Sequence, residues 1–253
     1  MYNHLSKNQI SEFYDRGFIK IPDLFSSEQI NLLKNEFQKL YHKSTFLKST
    51  CLRDGSQFVF TEQFLQRVVW CGANSQSLLK VGEDLRIITR VFDLFDNPIC
   101  VEQLINQAHF KMPGDQVEFP WHQDSQHRGY GTKNWTDVNS KGSYVQTVLV
   151  IDKMTQDNGS LIFVPYSNHK GHLGLDRNNS YMHNLKENEF EFITANPGTL
   201  LMFGPYTVHG SKINNSISPR RVLINGYAYP GANHKDYPGE GSCRIIKNPN
   251  LSD

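Results

Sequence analysis

The segment Phe119-Pro-Trp-His-Gln-Asp-Ser125 places a histidine and an aspartate two positions apart. It follows the turn residues Pro113-Gly114 and precedes a long polar stretch. In an extended strand the side chains alternate between two faces, so His122 and Asp124 are expected on the same face. A strand that presents both can supply two ligands of a metal site. Because an H-x-D triplet alone is weak evidence, its meaning depends on the rest of the chain.

Beyond Ile99 the sequence consists of short strand-like segments separated by turn residues. The segments are rich in Val, Ile, Thr, Tyr and Phe, and Asp157-Asn158-Gly159 and Pro197-Gly198 mark turns. Strands are predicted over 99–111, 117–124, 144–152, 160–164, 198–203, 206–213 and 221–229. Many short strands with turns between them indicate a mainly β sandwich or barrel.

The residues before this β region are predicted to be mostly helical and to pack outside it. A capping box at Ser26-x-x-Gln29 precedes apolar residues at helical spacing. Helices are predicted over 6–14, 26–41, 62–70 and 76–95, with a short strand over 17–22. We expect one domain over 1–253, with a helical part over about 1–97, a β core over about 98–230 and a tail over 231–253.

Composition narrows the class of protein. In 253 residues, 38% hydrophobic and 20% charged residues describe an ordinary folded, soluble chain. A net charge of +1 and dispersed basic residues give no reason to expect nucleic acid or a membrane as partner. The N-terminus lacks an apolar signal region, and the four cysteines form no C-x-x-C pair. A cytoplasmic protein that acts on a small molecule is expected.

His209 and Arg220 give the H-x-D triplet its chemical context. His209 lies in a strand-like segment near the C-terminus, and Arg220 follows eleven residues later. Two imidazoles and one carboxylate can form the facial triad of non-heme Fe(II) oxygenases, which leaves positions for a chelating 2-oxo acid and O₂. The planar fork of an arginine suits the far carboxylate of such an acid.

Several motifs occur in a fixed order over roughly 8–230. They are Gly17-Phe-Ile-Lys-Ile-Pro-Asp-Leu-Phe-Ser-Ser27, Gln107-Ala-His-Phe-Lys-Met-Pro-Gly114, Phe119-Pro-Trp-His-Gln-Asp124, Asp157-Asn-Gly-Ser-Leu161, Pro165-x-Ser167-x-His169, Pro197-Gly198 and His209-Gly-Ser211-x₈-Arg220-Arg221. In this order they resemble the phytanoyl-CoA dioxygenase (PhyH) family of Fe(II)/2-oxoglutarate-dependent oxygenases. The resemblance implies a double-stranded β-helix, a cupin-like jelly roll, which agrees with the predicted strands.

The resemblance also implies residue roles. It implies that His122, Asp124 and His209 bind iron. It implies that Arg220 binds the C5 carboxylate of 2-oxoglutarate, with Ser211 hydrogen-bonding beside it.

Further residues are expected around these groups. Gln107, His109 and Trp121 are expected near the cosubstrate, although Trp121 has the opposite strand parity to the ligands. His109 is either a hydrogen-bond partner of 2-oxoglutarate or a buried histidine paired to the backbone.

Four residues are expected near the substrate: Gln146, Trp135, Gln126 and Val222. Val222 shares a strand face with Arg220 and therefore points to the interior. Gln146 is either a satisfied core amide or a substrate contact. Trp135 and Gln126 belong to the polar stretch 125–143, which together with 165–196 exceeds the usual loop length and favours a lid role.

The expected function is hydroxylation of a C–H bond of a small metabolite, with conversion of 2-oxoglutarate and O₂ to succinate and CO₂. Asp124 favours this outcome over halogenation, because related halogenases replace the carboxylate by Gly or Ala. Oxidative cyclisation or desaturation at the same iron remains open, as does a silent jelly-roll binding protein. A zinc hydrolase lacks an evident general base and leaves Arg220 unexplained. The sequence does not distinguish an amino acid, an alkaloid-like metabolite or an acyl thioester as substrate.

Overall fold

A computed structural model of the chain describes residues 4–137, 142–175, 181, 184–232 and 243–251. The helices in this part of the chain are α1 (Lys7–Arg16), α2 (Ser27–Ser44), α3 (Gln76–Val81) and α4 (Leu85–Leu94). The strands are β1 (Phe18–Ile21), β2 (Cys51–Arg53), β3 (Ser56–Thr61), β4 (Phe64–Val69), β5 (Cys100–His109), β6 (Phe119–His122), β7 (Tyr144–Val150), β8 (Ile162–Phe163), β9 (Glu191–Phe192), β10 (Leu200–Phe203), β11 (His209–Ser211), β12 (Val222–Ala228) and β13 (Arg244–Lys247).

The strands form two antiparallel sheets. The larger sheet has the order β1-β10-β7-β12-β5-β4-β3-β2, with β13 also paired to β5. The smaller sheet has the order β6-β11-β8-β9. This arrangement confirms the predicted mainly β fold with flanking helices. In the described part of the chain, no helix is long and apolar enough to cross a membrane.

The central strands of the large sheet are buried on both faces. In β7, Val145 and Leu149 belong to the core cluster shared with the helices. The alternate residues Val148 and Val150 belong to a second cluster, which lies on the opposite face of the same strand. Because strand side chains alternate, one strand serves both the helical layer and the interior. The predicted inward direction of Val222 agrees with its place in the second cluster.

The helix predicted from the Ser26 capping box is confirmed as α2. The Ser26 hydroxyl accepts a hydrogen bond from the Gln29 backbone N–H at 3.3 Å, and the Gln29 side chain accepts one from the Ser26 N–H at 3.1 Å. The buried residues of α2 include Ile30, Leu33 and Phe37, which recur at helical spacing. This apolar face packs into the core cluster that β7 and β10 share.

The helix predicted over 62–70 is wrong, because this segment forms the strand β4. The pairing of β3 with β4 shifts between Val59 and Phe60, so that Gln66 is an extra residue in β4. A β-bulge of this kind breaks the alternation of buried and exposed side chains. Leu65 and Val68 are therefore buried at a spacing that imitates a helix.

Two other expectations need correction. The helix predicted over 76–95 is two helices, because Asp84 accepts a hydrogen bond from the Arg86 N–H at 3.0 Å and caps α4 separately. The tail predicted over 231–253 includes β13, whose Ile246 pairs with Val101 of β5. Residues 233–242 and 252–253 of that tail lie outside the described residues.

Candidate active site

His122, Asp124 and His209 come together where the ends of β6 and β11 meet. Their candidate ligand atoms all lie within 4.8 Å of one another. His122 and His209 are direct partners in the pairing of β6 with β11, and their ring centroids are 4.2 Å apart. The distance from His209 Nε2 to Asp124 Oδ1 is 4.0 Å. Two imidazoles and one carboxylate at this spacing can share one metal ion.

Both histidines are oriented through their Nδ1 atoms. His122 Nδ1 lies 2.7 Å from the Pro120 carbonyl oxygen, and His209 Nδ1 lies 2.9 Å from the Thr207 carbonyl oxygen. A carbonyl can only accept, so these contacts assign the proton to Nδ1 and leave the Nε2 lone pair for a metal. Burial, followed by the neighbouring His122, holds the pKa of His209 well below its usual range, which keeps its ring neutral.

Asp124 reaches the cluster through a helical turn. β6 ends at His122, and Asp124 begins a short 3₁₀ helix, Asp124–His127. The strand predicted over 117–124 is therefore too long at its C-terminal end. Asp124 is 3% exposed, and its Oδ2 has no hydrogen-bond partner among the described residues. A buried carboxylate oxygen without a partner is costly, and a bound metal ion would remove that cost.

Gln123 fixes the turn on which Asp124 sits. Its amide nitrogen donates to the carbonyl oxygens of Tyr206 and Gly171 at 2.6 and 2.8 Å. Its amide oxygen accepts a hydrogen bond from the Leu173 N–H at 2.7 Å. The side chain is completely buried, so these bonds are shielded from water. Gln123 thus joins the ligand-bearing turn to the segment that follows residue 170.

Arg220 and Ser211 form a second polar group close to the histidines. Arg220 is 2% exposed, and its Nε and Nη2 atoms both donate to the Gly159 carbonyl oxygen, at 2.9 and 2.6 Å. Burial, opposed by Asp115 and Asp152, lowers the pKa of Arg220 to about 10 in total. The guanidinium therefore stays charged near neutral pH. The buried Ser211 hydroxyl has no hydrogen-bond partner among the described residues. A buried cation beside a spare hydroxyl suits a carboxylate.

Two adjacent cavities border these groups. The inner chamber, of about 50 Å³, contains His122, His209, Ser211 and Arg220 in its wall. The outer chamber, of about 350 Å³, contains Asp124 together with His122. The residues common to both walls are His109, Phe119, His122, Gln146 and Ile224. The predicted metal ligands and the predicted carboxylate-binding residues therefore border two adjacent cavities that share part of their walls.

The structure places three more of the expected residues in these walls. His109 lines both chambers, stacks on Phe119 with centroids 5.1 Å apart, and has Nε2 2.9 Å from Gln107 Oε1. Burial and then Arg67 hold the pKa of His109 well below its usual range. Gln107 lines the outer chamber and Val222 the inner one.

Gln146 also lines both chambers. The Tyr144 hydroxyl donates to its side-chain oxygen at 2.7 Å.

Trp121, Trp135 and Gln126 lie outside both walls. Trp121 follows Pro120 on the opposite strand face from the ligands and packs against Phe190, with centroids 5.5 Å apart. Trp135 packs against the ring of Tyr206. The Gln126 side chain accepts from the Gln123 N–H at 2.8 Å and donates to the Leu175 carbonyl at 2.5 Å. These placements do not support the expected ligand contacts of the three residues.

The lid role expected for the stretches 125–143 and 165–196 falls partly on residues outside the described part of the chain. Residues 138–141, 176–180 and 182–183 lie outside the described residues.

Sequence reasoning missed two basic residues near the site, Arg67 and Arg128, whereas strand alternation predicts that Lys111 points the same way as Gln107 and His109. Arg67 was hidden by the false helix over 62–70. Arg128 follows the ligand turn and faces the outer chamber. Lys111 continues the alternation of Gln107 and His109, which was the one available signal for its inward direction.

Lys111 gives a testable pH dependence. Its Nζ donates to the carbonyl oxygens of Ser211, at 3.3 Å, and Lys212. Burial, followed by Arg220, lowers the pKa of Lys111 to about 6, although Asp115 and Glu118 oppose the shift. Between about pH 6 and about pH 10, the unfolded chain binds a proton that the folded protein does not. Lys111 should therefore make stability increase with pH in this window.

We expect Lys111→Met to reduce that slope by as much as about 1.4 kcal/mol per pH unit. Urea unfolding of wild type and variant at several pH values measures the difference. Lys133→Met, at an exposed loop position, should keep the wild-type slope. Parallel slopes for Lys111→Met and wild type would refute the prediction.

The fold and the site together define a class. A two-sheet β-sandwich with two histidines, an aspartate and a nearby buried arginine is the arrangement expected of a non-heme iron oxygenase. The model of the phytanoyl-CoA dioxygenase (PhyH) family matches residues 13–222. The chain belongs to the phytanoyl-CoA dioxygenase family.

Two curated relatives match over most of the chain. A probable alpha-ketoglutarate-dependent hypophosphite dioxygenase of Stutzerimonas stutzeri is 23% identical over 255 residues, which cover 87% of this chain and 77% of the relative. The ectoine dioxygenase of Halomonas elongata is 25% identical over 239 residues, which cover 85% of this chain and 68% of the relative.

Solved structures of EctD from S. alaskensis share the fold. The structure with bound Fe superposes with a TM-score of 0.76 at 19% identity, covering 92% of this chain and 80% of that one. A structure with 2-oxoglutarate and 5-hydroxyectoine gives a TM-score of 0.73 at 21% identity, covering 92% and 79%. The predicted cupin-like jelly roll is thereby confirmed. Family, relatives and triad also confirm the predicted enzyme class, a dioxygenase that depends on Fe(II) and 2-oxoglutarate.

Proposed function

We propose that this dioxygenase hydroxylates a C–H bond of a small polar metabolite. In this proposal His122, Asp124 and His209 hold the iron, and Arg220 with Ser211 holds the C5 carboxylate of 2-oxoglutarate. The observation that carries the proposal is that both histidines, Ser211 and Arg220 border one inner chamber. Asp124 Oδ2 and Ser211 Oγ, which have no hydrogen-bond partner within the described parts of the chain, support it, because each would gain a partner from the group assigned to it.

The protein residues supply geometry and charge. When bound, iron and 2-oxoglutarate supply the oxidation, in which O₂ is consumed, 2-oxoglutarate becomes succinate and CO₂, and one oxygen atom enters the substrate. The carbonyls of Pro120 and Thr207 keep the two imidazoles in the tautomer that can bind a metal.

Arg220 orients the cosubstrate by a charge-assisted contact at the far end of the inner chamber. Apolar side chains, including Val148 and Phe203, line the same chamber and restrict water.

The outer chamber supports a small substrate. Its volume of about 350 Å³ is at the lower end of the range for small-molecule sites. The relatives are named for hypophosphite and ectoine, and a further one for L-proline, all of which are small. A small polar metabolite therefore fits this site better than a long acyl thioester. Oxidative cyclisation and desaturation would use the same iron, and product analysis separates them from hydroxylation.

The proposal also includes the setting of the enzyme. We treat residues 1–253 as one dioxygenase domain, since strands of both sheets line the same two chambers. A cytoplasmic location is supported by the four cysteines, all of them described, which form no disulfide. Nucleic acid and membranes are not part of the proposed function.

Anaerobic titration with Fe(II) and 2-oxoglutarate tests the proposal. We expect the weak metal-to-ligand charge-transfer absorption of a chelated 2-oxo acid in the wild-type protein. Admission of O₂ should then release succinate, and more of it with a true substrate. The double variant His122→Ala/Asp124→Ala should lack the absorption because it lacks two of the three ligands. Absence of the band in wild type, or its persistence in the double variant, would refute the assigned site.

A further inference from the structure

We infer that the outer chamber recognises an oxyanion of the substrate through Arg67 and Arg128. The substrates are then small carboxylates or phosphonates, and the two guanidinium groups hold the anionic end while a C–H bond faces the iron. This inference rests on the proposed function and names the substrate class for the same site. Both arginines border the outer chamber, and neither borders the inner one.

Arg67 enters the chamber from the large sheet. It lies opposite His109 in the pairing of β4 with β5, next to the bulged residue Gln66. Burial lowers the pKa of Arg67, and no nearby carboxylate contributes to that shift. The hydrogen bond seen for its guanidinium goes to the neutral side-chain oxygen of Gln66. A guanidinium remains protonated under these conditions, so an anionic ligand would offset the cost of its burial.

Arg128 borders the outer chamber from the turn that carries Asp124. It directly follows the 3₁₀ helix that begins at Asp124, so its position is tied to the metal site. It is 4% exposed, and its Nη2 donates to the Tyr144 hydroxyl at 2.9 Å. Its guanidinium carbon also lies over the aromatic face of Tyr144, 4.6 Å from the ring centroid. A planar guanidinium held in this way is preorganised for a bidentate contact with an oxyanion.

The same contacts orient Gln146. The Tyr144 hydroxyl accepts from Arg128 and donates to Gln146 Oε1 at 2.7 Å. Because its oxygen already accepts from Tyr144, the amide N–H groups of Gln146 are what this side chain can offer to a ligand in the chambers that it lines. The wall therefore offers two cations and an amide donor. This set of donors fits an oxyanion better than it fits a neutral molecule.

Charge balance favours the same class of ligand. In the loaded enzyme, the charges of Fe(II), Asp124, Arg220 and doubly negative 2-oxoglutarate cancel. Arg67 and Arg128 add two guanidinium groups to the wall of the outer chamber, where Glu118 is an exposed carboxylate at the edge. A concave site with one sign of charge attracts the opposite ion and raises its local concentration.

The test compares matched pairs of small molecules in the wild-type enzyme. Carboxylates are paired with their primary amides, and phosphonates with their dialkyl esters, and succinate release is measured with Fe(II), 2-oxoglutarate and O₂. We expect anions to stimulate release and their neutral partners not to do so. The carboxylate and phosphonate arms identify which oxyanion is used. Equal stimulation by neutral and anionic partners would overturn the inference.

Variants then assign the effect to the two arginines. Arg67→Gln and Arg128→Gln should each raise the KM of the best anion about 10- to 100-fold, because each removes a charge-assisted contact. Arg53→Gln, at an exposed arginine of β2, should leave it unchanged. Tyr144→Phe removes the hydroxyl between Arg128 and Gln146 and should raise the same KM even if Arg128→Gln fails to fold.

The cosubstrate signal separates this inference from the proposed function. The charge-transfer band should persist in Arg67→Gln and Arg128→Gln at the wild-type 2-oxoglutarate affinity. Loss of that affinity in these variants would mean that the arginines hold the cosubstrate, and would overturn the inference. Absence of the band in wild type would instead refute the proposed function itself. An unchanged substrate KM in Arg67→Gln, Arg128→Gln and Tyr144→Phe would also overturn the inference.

Discussion

Asp124→Ala is expected to reduce iron-dependent succinate release by more than about 100-fold, because even the partners of metal ligands typically contribute 10–100-fold. The same variant should not lose stability without metal. Its buried Oδ2 has no hydrogen-bond partner among the described residues, so removal of the carboxylate relieves an unfavourable burial. We expect the free energy of unfolding in the presence of a chelator to stay constant or increase by about 1 kcal/mol. Iron content after dialysis, turnover and urea unfolding provide the three measurements.

The predicted loss of activity without a loss of stability distinguishes a metal ligand from a residue that supports the fold. A residue that only supports the fold would lose stability and activity together when it is removed. Asp15→Ala, at an exposed carboxylate of α1, is the matched control and should keep both iron and turnover. If Asp124→Ala retained iron at the wild-type level, the assigned ligand set would be incorrect.

Arg220→Gln is expected to raise the KM for 2-oxoglutarate by about 30-fold or more. Truncation of one partner of a buried, hydrogen-bonded charge pair costs about 2–5 kcal/mol, which corresponds to at least this factor. Arg220→Lys should recover only part of the loss, because an ammonium cannot reproduce the planar fork that donates twice to the Gly159 carbonyl. Succinate release measured against 2-oxoglutarate concentration gives the KM, and iron retention should be unchanged.

The adjacent Arg221 is the matched control. Its guanidinium donates to both carboxylate oxygens of Asp152, at 2.7 and 3.0 Å, and it lines neither chamber. Arg221→Gln removes two charge-assisted hydrogen bonds from the buried Asp152 carboxylate, which keeps the Arg221 backbone N–H at 3.1 Å and Lys34 Nζ at 3.8 Å, so it should lower the free energy of unfolding by about 1–3 kcal/mol. It should leave the KM for 2-oxoglutarate near the wild-type value. If both variants changed the KM equally, position 220 would have no special role with the cosubstrate.

The chemistry of the site could be predicted because it depends on residue types and local spacing. A metal ion needs imidazole and carboxylate groups, and His122, Asp124 and His209 stand out in the sequence for that reason. Strand alternation also predicted correctly that Val222 faces the interior. The direction of Val222 uses only neighbouring positions along the chain, since the period of two is a local property of the backbone, whereas His209 was assigned to the site by its residue type and by the resemblance to the family.

The tertiary structure decided which side chains from distant segments lie beside the site. The segment predicted as a helix over 62–70 is the strand β4, which contains a bulge at Gln66. Arg67 lies beside His109 only because β4 pairs with β5. Trp121 lies within the ligand strand β6, and its opposite parity, which the sequence already shows, agrees with its packing outside the chambers against Phe190.

This division between sequence and tertiary structure has a physical reason. The residue types and their spacing determined the iron and cosubstrate chemistry. The register between strands distant in sequence decided which further side chains share the cavity, because that register is set by packing of the whole sandwich.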